Sequence, residues 1–153
     1  MTMPPAKAEA SGRAKAPASP MIQVAELDYR YGEGSPLFEG LSWTVAQGER
    51  WAVLGPSGCG KSTLLYLLAG LYQPTGGSIA IAGERQQGPR PRTGLILQDY
   101  GLLPWATAYK NVVLGMDIRR FYGPDGRHSP DDATIDPAVT DQKTAYWLSR
   151  LVI

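Results

Sequence analysis

The sequence predicts an α/β fold, and three observations predict it. Trp51–Leu54 (WAVL) is a short unbroken apolar run, as expected of a buried parallel strand. A glycine-rich loop follows at once. Ser62–Leu71 (STLLYLLAGL) is then apolar nearly all round, which suits a helix packed under a sheet. With 153 residues the chain is long enough for one domain.

The elements follow in order. Residues 1–20 are dominated by Ala, Pro and scattered charges, offer almost nothing to bury, and read as a disordered tail. Met21 opens the first structured pattern and is an alternative start. The runs IQVAEL and LSWTV read as strands, with a turn-rich GEGSP between them. After the apolar helix, Gly76-Gly77 breaks the chain and SIAIAG alternates like a strand. ERQQGPRPR is a polar loop, TGLILQ reads as a second buried strand, and Ala106–Leu114 as a helix. From Met116 the character changes, and GPDGRHSPDDATIDP reads as a surface loop or insertion. The last segment, TDQKTAYWLSRLVI, has helical spacing with Thr140 or Asp141 as N-cap. Its apolar end implies that more chain should follow. The expected division is a tail over 1–20, a nucleotide-binding part over 21–118, and a loop plus the start of a helical region over 119–153.

Composition narrows the function. The net charge of +1 argues against a nucleic-acid footprint and gives no polybasic membrane anchor. The 18 glycines and 13 prolines make about a fifth of the chain, which implies long loops. Cys59 is the single cysteine, so no intramolecular disulfide forms. No apolar run approaches the ~20 residues of a membrane helix. These features predict a soluble, cytoplasmic protein that meets a membrane only through a partner.

One motif dominates. Gly55-Pro56-Ser57-Gly58-Cys59-Gly60-Lys61-Ser62 matches G-x-x-x-x-G-K-[ST] in full. A phosphate chain needs several N–H donors aimed at one point, and glycines let the backbone curl into such a nest. The helix that starts here adds the positive end of its dipole. Lys61 can reach the β- and γ-phosphates, and the Ser62 hydroxyl can ligate Mg²⁺. A strand before and a helix after are the context the motif requires. Cys59 reads either as a thiol stabilised at a helix N-terminus or as a small residue tolerated in the loop.

The flanks of this loop, GERWAVLGPSGCGKSTLLYLLAGL and PTGGSIAIAG, closely resemble the ATP-binding subunits of ABC transporters. TGLILQDYGLLPWATAYKNVVLG resembles the same family's Q-loop region, and LLPW and NVVLG look most like its nitrate, sulfonate and taurine importer branch. The likeness spans about residues 22–118. It implies a P-loop NTPase of ABC ATPase type, N-terminal part only: an incomplete core sheet, an antiparallel β region and the start of the helical region. It further implies that Gly55–Ser62 is the Walker A loop, that Thr63 contributes to the α-phosphate site, and that Gln98 ligates Mg²⁺ and positions the attacking water. Tyr31 would stack on the adenine, with Tyr29 as rival. Leu102, Leu103, Pro104 and Trp105 would face a membrane permease, or else form a buried turn. ATP and Mg²⁺ are the implied cofactors. A permease and a second ATP-binding subunit are the implied partners, with the protein peripheral at the inner face of the membrane.

The family also carries an LSGGQ-type signature, a Walker B strand ending in Asp-Glu, and a switch histidine. None occurs in these 153 residues. Asp131-Asp132 follows a proline in a polar loop, and His128 in the same loop reads as a solvated surface residue. The chain thus looks truncated, with WAVL and GLIL deprived of the strand that would lie between them, a hazard for aggregation. Inefficient turnover alone is expected. Rival readings are a small P-loop kinase with RQQGPRPR as its arginine lid, a half-domain completed by a second chain, and a frameshift product.

Overall fold

The computed structural model describes residues 20–133 and 136–150. Of the tail expected over 1–20, residues 1–19 lie outside the described residues. The chain divides into two units, treated separately below. One holds the described residues up to Gly55 with Pro74–Gln86, and the other holds Pro56–Gln73 with the residues from Gln87 onward.

The first unit is an antiparallel sheet. Its strands are β1 (Pro20–Arg30), β2 (Pro36–Ala46), β3 (Gly76–Ile81) and the two-residue β4 (Glu84–Arg85), in the order β2-β1-β3-β4. Pro20, placed in the tail from sequence, instead pairs with Ala46 at the start of β1. β1 is central because both its edges are paired, Val24 lying opposite Trp43 on one side and Ile79 on the other. The buried positions change parity along β1, from Val24 to Leu27 and Tyr29. A bulge at Ala25–Glu26 causes this, since one extra residue moves every later side chain to the other face. Glu26 sits there with φ 47°, and Ser42 fixes it. The Glu26 amide donates to Ser42 Oγ (2.9 Å), which donates to Glu26 Oε1 (2.8 Å). Val24, Leu27, Tyr29, Val45 and Ile79 are the buried residues of this sheet.

Trp51–Leu54 departs from expectation. It forms no strand, and all four residues are exposed, Leu54 at 88%. Thr93–Gln98, in the second unit, forms no strand either, and Ile96 is 85% exposed. The physical reason is the same for both. A parallel strand takes its hydrogen bonds from neighbours that are distant in sequence. These residues contain no Walker B segment to pair with them. Glu49 anchors the chain just before Trp51: its Oε2 accepts from Ala46 N and from Trp51 Nε1, both at 2.9 Å.

The second unit contains α1 (Lys61–Leu68), α2 (Ala108–Tyr122) and α3 (Pro137–Arg150). α1 stops at Gly70, whose φ of 77° is left-handed and whose added Cβ would meet the Gly88 carbonyl oxygen at 2.2 Å. α2 runs eight residues past the expected end at Leu114. Its N-cap is Thr107, whose hydroxyl accepts from Lys110 N at 3.2 Å, and Gly123 closes it. α3 begins before the expected caps Thr140 and Asp141. Asp136 Oδ1 accepts from Ala138 N at 2.9 Å, and Pro137 stands where its missing N–H costs nothing.

The loop between α2 and α3 is tightly braced. Asp125 Oδ1 accepts from the amides of Arg127 (3.0 Å), His128 (2.7 Å) and Ser129 (3.1 Å), and its Oδ2 meets His128 Nδ1 at 2.6 Å. The His128 ring stacks on Tyr122 with centroids 3.7 Å apart. His128 is therefore half-buried and engaged, in contrast to the solvated residue expected from sequence. Arg92 pairs with Asp131 and Asp132, which confirms those acids as loop residues.

Candidate functional site: the phosphate loop and the turn before α2

The Walker A residues form an exposed loop that runs into α1. Gly55, Pro56, Ser57, Gly58 and Cys59 are exposed, and Gly60 caps the helix. Gly58 and Gly60 have φ of 81° and 95°, and side-chain-bearing residues pay heavily for that region. These two glycines turn the backbone so that the loop enters the helix amide end-first. The first full helical bond runs from Leu64 N to Gly60 O at 2.8 Å. The amides of the first turn therefore point to the loop mouth rather than into the helix ladder.

Lys61 folds back across the loop. Its Nζ donates to the Pro56 carbonyl at 2.7 Å and lies 3.7 Å from Cys59 Sγ. The ammonium is thus held over the curled backbone. Ser62 is exposed beside it, whereas Thr63 is buried. Gly58 has open space where a Cβ would stand. A cationic head, a helix N-terminus and left-handed glycines make a nest for an anionic phosphate chain. The residues present fit ATP through its phosphates, and the Ser62 hydroxyl would be available to hold a magnesium ion that neutralises phosphate charge.

The other expected site residues are described each in its own surroundings. Gln98 is exposed in a turn closed by Tyr100 N donating to Leu97 O at 3.0 Å, and its side chain has no hydrogen-bond partner among the described residues. Tyr29 is buried and Tyr31 exposed, their rings edge to face with centroids 5.1 Å apart. Exposure therefore favours Tyr31 as the ring open to a ligand. Leu102 and Trp105 are 62% and 80% exposed, and Leu103 is half-buried between them. The LLPW turn is an apolar surface and not a buried turn.

Sequence reasoning missed Asn111, on the first turn of α2. Its Oδ1 accepts from Leu103 N at 2.7 Å, and its Nδ2 donates to Leu103 O (3.2 Å), Ala106 O (3.3 Å) and Thr107 O (3.1 Å). The one available signal was its type: Asn in a helix tends to bond local backbone. Glu49 was missed as well. The Trp51 indole N–H and the Ala46 amide hold its carboxyl below the usual carboxylate range.

A helix that opens on a complete phosphate loop, in a chain that also builds an antiparallel sheet, defines the class: a P-loop nucleotide-binding fold. The family profile described as ABC transporter matches residues 38–152, and the chain belongs to that family. The taurine import ATP-binding protein TauB of Escherichia coli O157:H7 is 45% identical over 98 residues, 64% of this chain and 38% of that protein. TauB of Shigella flexneri matches to the same extent. The chain thus spans well under half the length of these relatives. Two solved structures share its fold. One is a component of the CbiONQ ABC transporter complex from Clostridium perfringens, with TM-score 0.58 and 23% identity over 88% of this chain and 51% of that one. The other is a dimeric ATP-binding cassette in a post-hydrolysis state with ADP and Pi, with TM-score 0.61 and 21% identity over 84% and 56%. Neither the fold nor the relatives favour a small kinase, and Arg92 of the supposed lid is committed to Asp131 and Asp132. Among the described residues no helix is long and apolar enough to cross a membrane.

Proposed function

We propose that this chain is the phosphate-binding part of the ATP-binding subunit of an ABC importer. The observation that carries this is the Walker A loop, with Lys61 held over a backbone turned by Gly58 and Gly60 at the head of α1. Gly55–Thr63 grips the phosphates of MgATP, Lys61 neutralises their charge, and Ser62 and Gln98 serve the magnesium ion. Tyr31 offers a ring to the base. Leu103, Pro104 and Trp105 face a permease subunit at the cytoplasmic side of the membrane. A second ATP-binding subunit completes the site. The likeness to taurine import proteins supports the importer branch.

Phosphoryl transfer works by positioning and charge stabilisation. Lys61, Ser62 and Gln98 supply part of that and no polarising Walker B glutamate. Phosphate release is therefore expected at background for the 153-residue chain with MgATP. It should appear when a polypeptide carrying the signature and Walker B segments of a TauB relative is added, and vanish again with Lys61→Ala. Normal turnover by the chain alone would overturn this reading.

A further inference from the structure

We propose that Asn111 is a positioning residue that fixes the Leu102–Trp105 turn in a shape ready for docking. This rests on the reading of that turn as the permease-facing surface. Side chains as exposed as Leu102 and Trp105 gain little from burial, so packing does not set the course of the backbone beneath them. The Asn111 amide does. It takes both polar groups of Leu103, accepting its N–H and donating to its carbonyl, as a neighbouring strand would. Its two amide hydrogens are shared among the carbonyls of Leu103, Ala106 and Thr107. This network also fixes the amide orientation, because a reversed group would set N–H against N–H at Leu103.

Ala106 N donates to Leu103 O (3.1 Å) and closes the turn itself, while Asn111 N to Thr107 O (3.0 Å) and Lys110 N to the Thr107 hydroxyl (3.2 Å) cap α2, so the Asn111 side chain is the link from turn to helix. The turn is thus tied to the first turn of α2 through Asn111. Only an amide of this length both accepts and donates here: a carboxylate lacks the hydrogens, and Gln is a methylene too long. A pre-ordered apolar turn loses less conformational freedom when a membrane subunit seats on it.

The test uses the full chain, wild type and the variants Asn111→Ala, Asn111→Asp and Trp105→Ala. Residue-resolved amide exchange is measured at Leu103 and, as control, at Ile118 within α2. Binding is measured to urea-stripped inverted vesicles of Escherichia coli induced for taurine import. Asn111→Ala should raise Leu103 exchange at least about tenfold and leave Ile118 within about twofold. Asn111→Asp keeps the acceptor but loses the donated bonds, so its Leu103 exchange should fall between those of wild type and Asn111→Ala, which keeps the test valid where the alanine variant unfolds; wild-type exchange in both variants overturns the proposal. Trp105→Ala should leave exchange unchanged. Both Asn111→Ala and Trp105→Ala should lower vesicle binding about fivefold or more. Unchanged Leu103 exchange in Asn111→Ala overturns the proposal. So does wild-type vesicle binding by Asn111→Ala when Trp105→Ala has lost it. If Trp105→Ala binds as wild type, or the wild-type chain prefers induced vesicles no more than uninduced ones, the docking reading itself has failed and the proposal falls with it.

Discussion

Thr144 lies in α3, almost fully buried, and its hydroxyl oxygen has no hydrogen-bond partner among the described residues. A buried polar atom without a partner carries its desolvation cost uncompensated. Val has nearly the same shape and no such atom. Thr144→Val should therefore raise stability by about 1 kcal/mol in thermal unfolding. A lower melting temperature would show that the hydroxyl is satisfied. At this scale the sequence was legible where chemistry is contiguous. Gly55–Ser62 declares itself because all its parts are adjacent along the chain. Asn111 does not, because its four partners are backbone groups that any sequence would supply.

The loop that follows α2 is held by one carboxylate. Three backbone amides and His128 Nδ1 converge on Asp125. The His128 hydrogen bond, then the amides, hold its carboxyl well below the ordinary value of 3.8. A lowered native pKa stabilises the fold above the unfolded value, and that contribution is lost as pH falls below it. The support that Asp125 gives to the stacking of His128 on Tyr122 should therefore be full at about pH 5 and decline progressively below about pH 4. The His128 ring-proton shifts report it, and Asp125→Ala should show the unstacked shifts already at pH 5. Stacked shifts retained by Asp125→Ala at about pH 5 would mean that Asp125 does not hold this loop. Elements divide by the range of their bonds. β1, β2 and β3 pair antiparallel with alternating patterns that the sequence shows, although the bulge at Glu26 was not legible. WAVL and TGLILQ look more strand-like than β3, yet neither is a strand. Their pattern records burial between neighbours that these residues do not include.

On the scale of the whole molecule, a complete phosphate loop accompanies an incomplete sheet. The helix after the loop is formed and the strand expected before it is not, yet the glycine turns and Lys61 keep the curled shape at the head of α1. Hydrolysis calls for a water-polarising group as well, and no apolar run ending in two acids occurs among these 153 residues. Binding and hydrolysis should therefore separate in this chain. The most direct measurement is a calorimetric titration of the 153-residue chain with MgATP, beside its Lys61→Ala variant. Loss of a charge-assisted hydrogen bond to phosphate costs about 1.5–3 kcal/mol, so the variant should bind roughly ten- to hundredfold more weakly. Equal affinity in the two proteins, or no saturable binding by the wild-type chain, would contradict the assignment of Gly55–Ser62 as its nucleotide site.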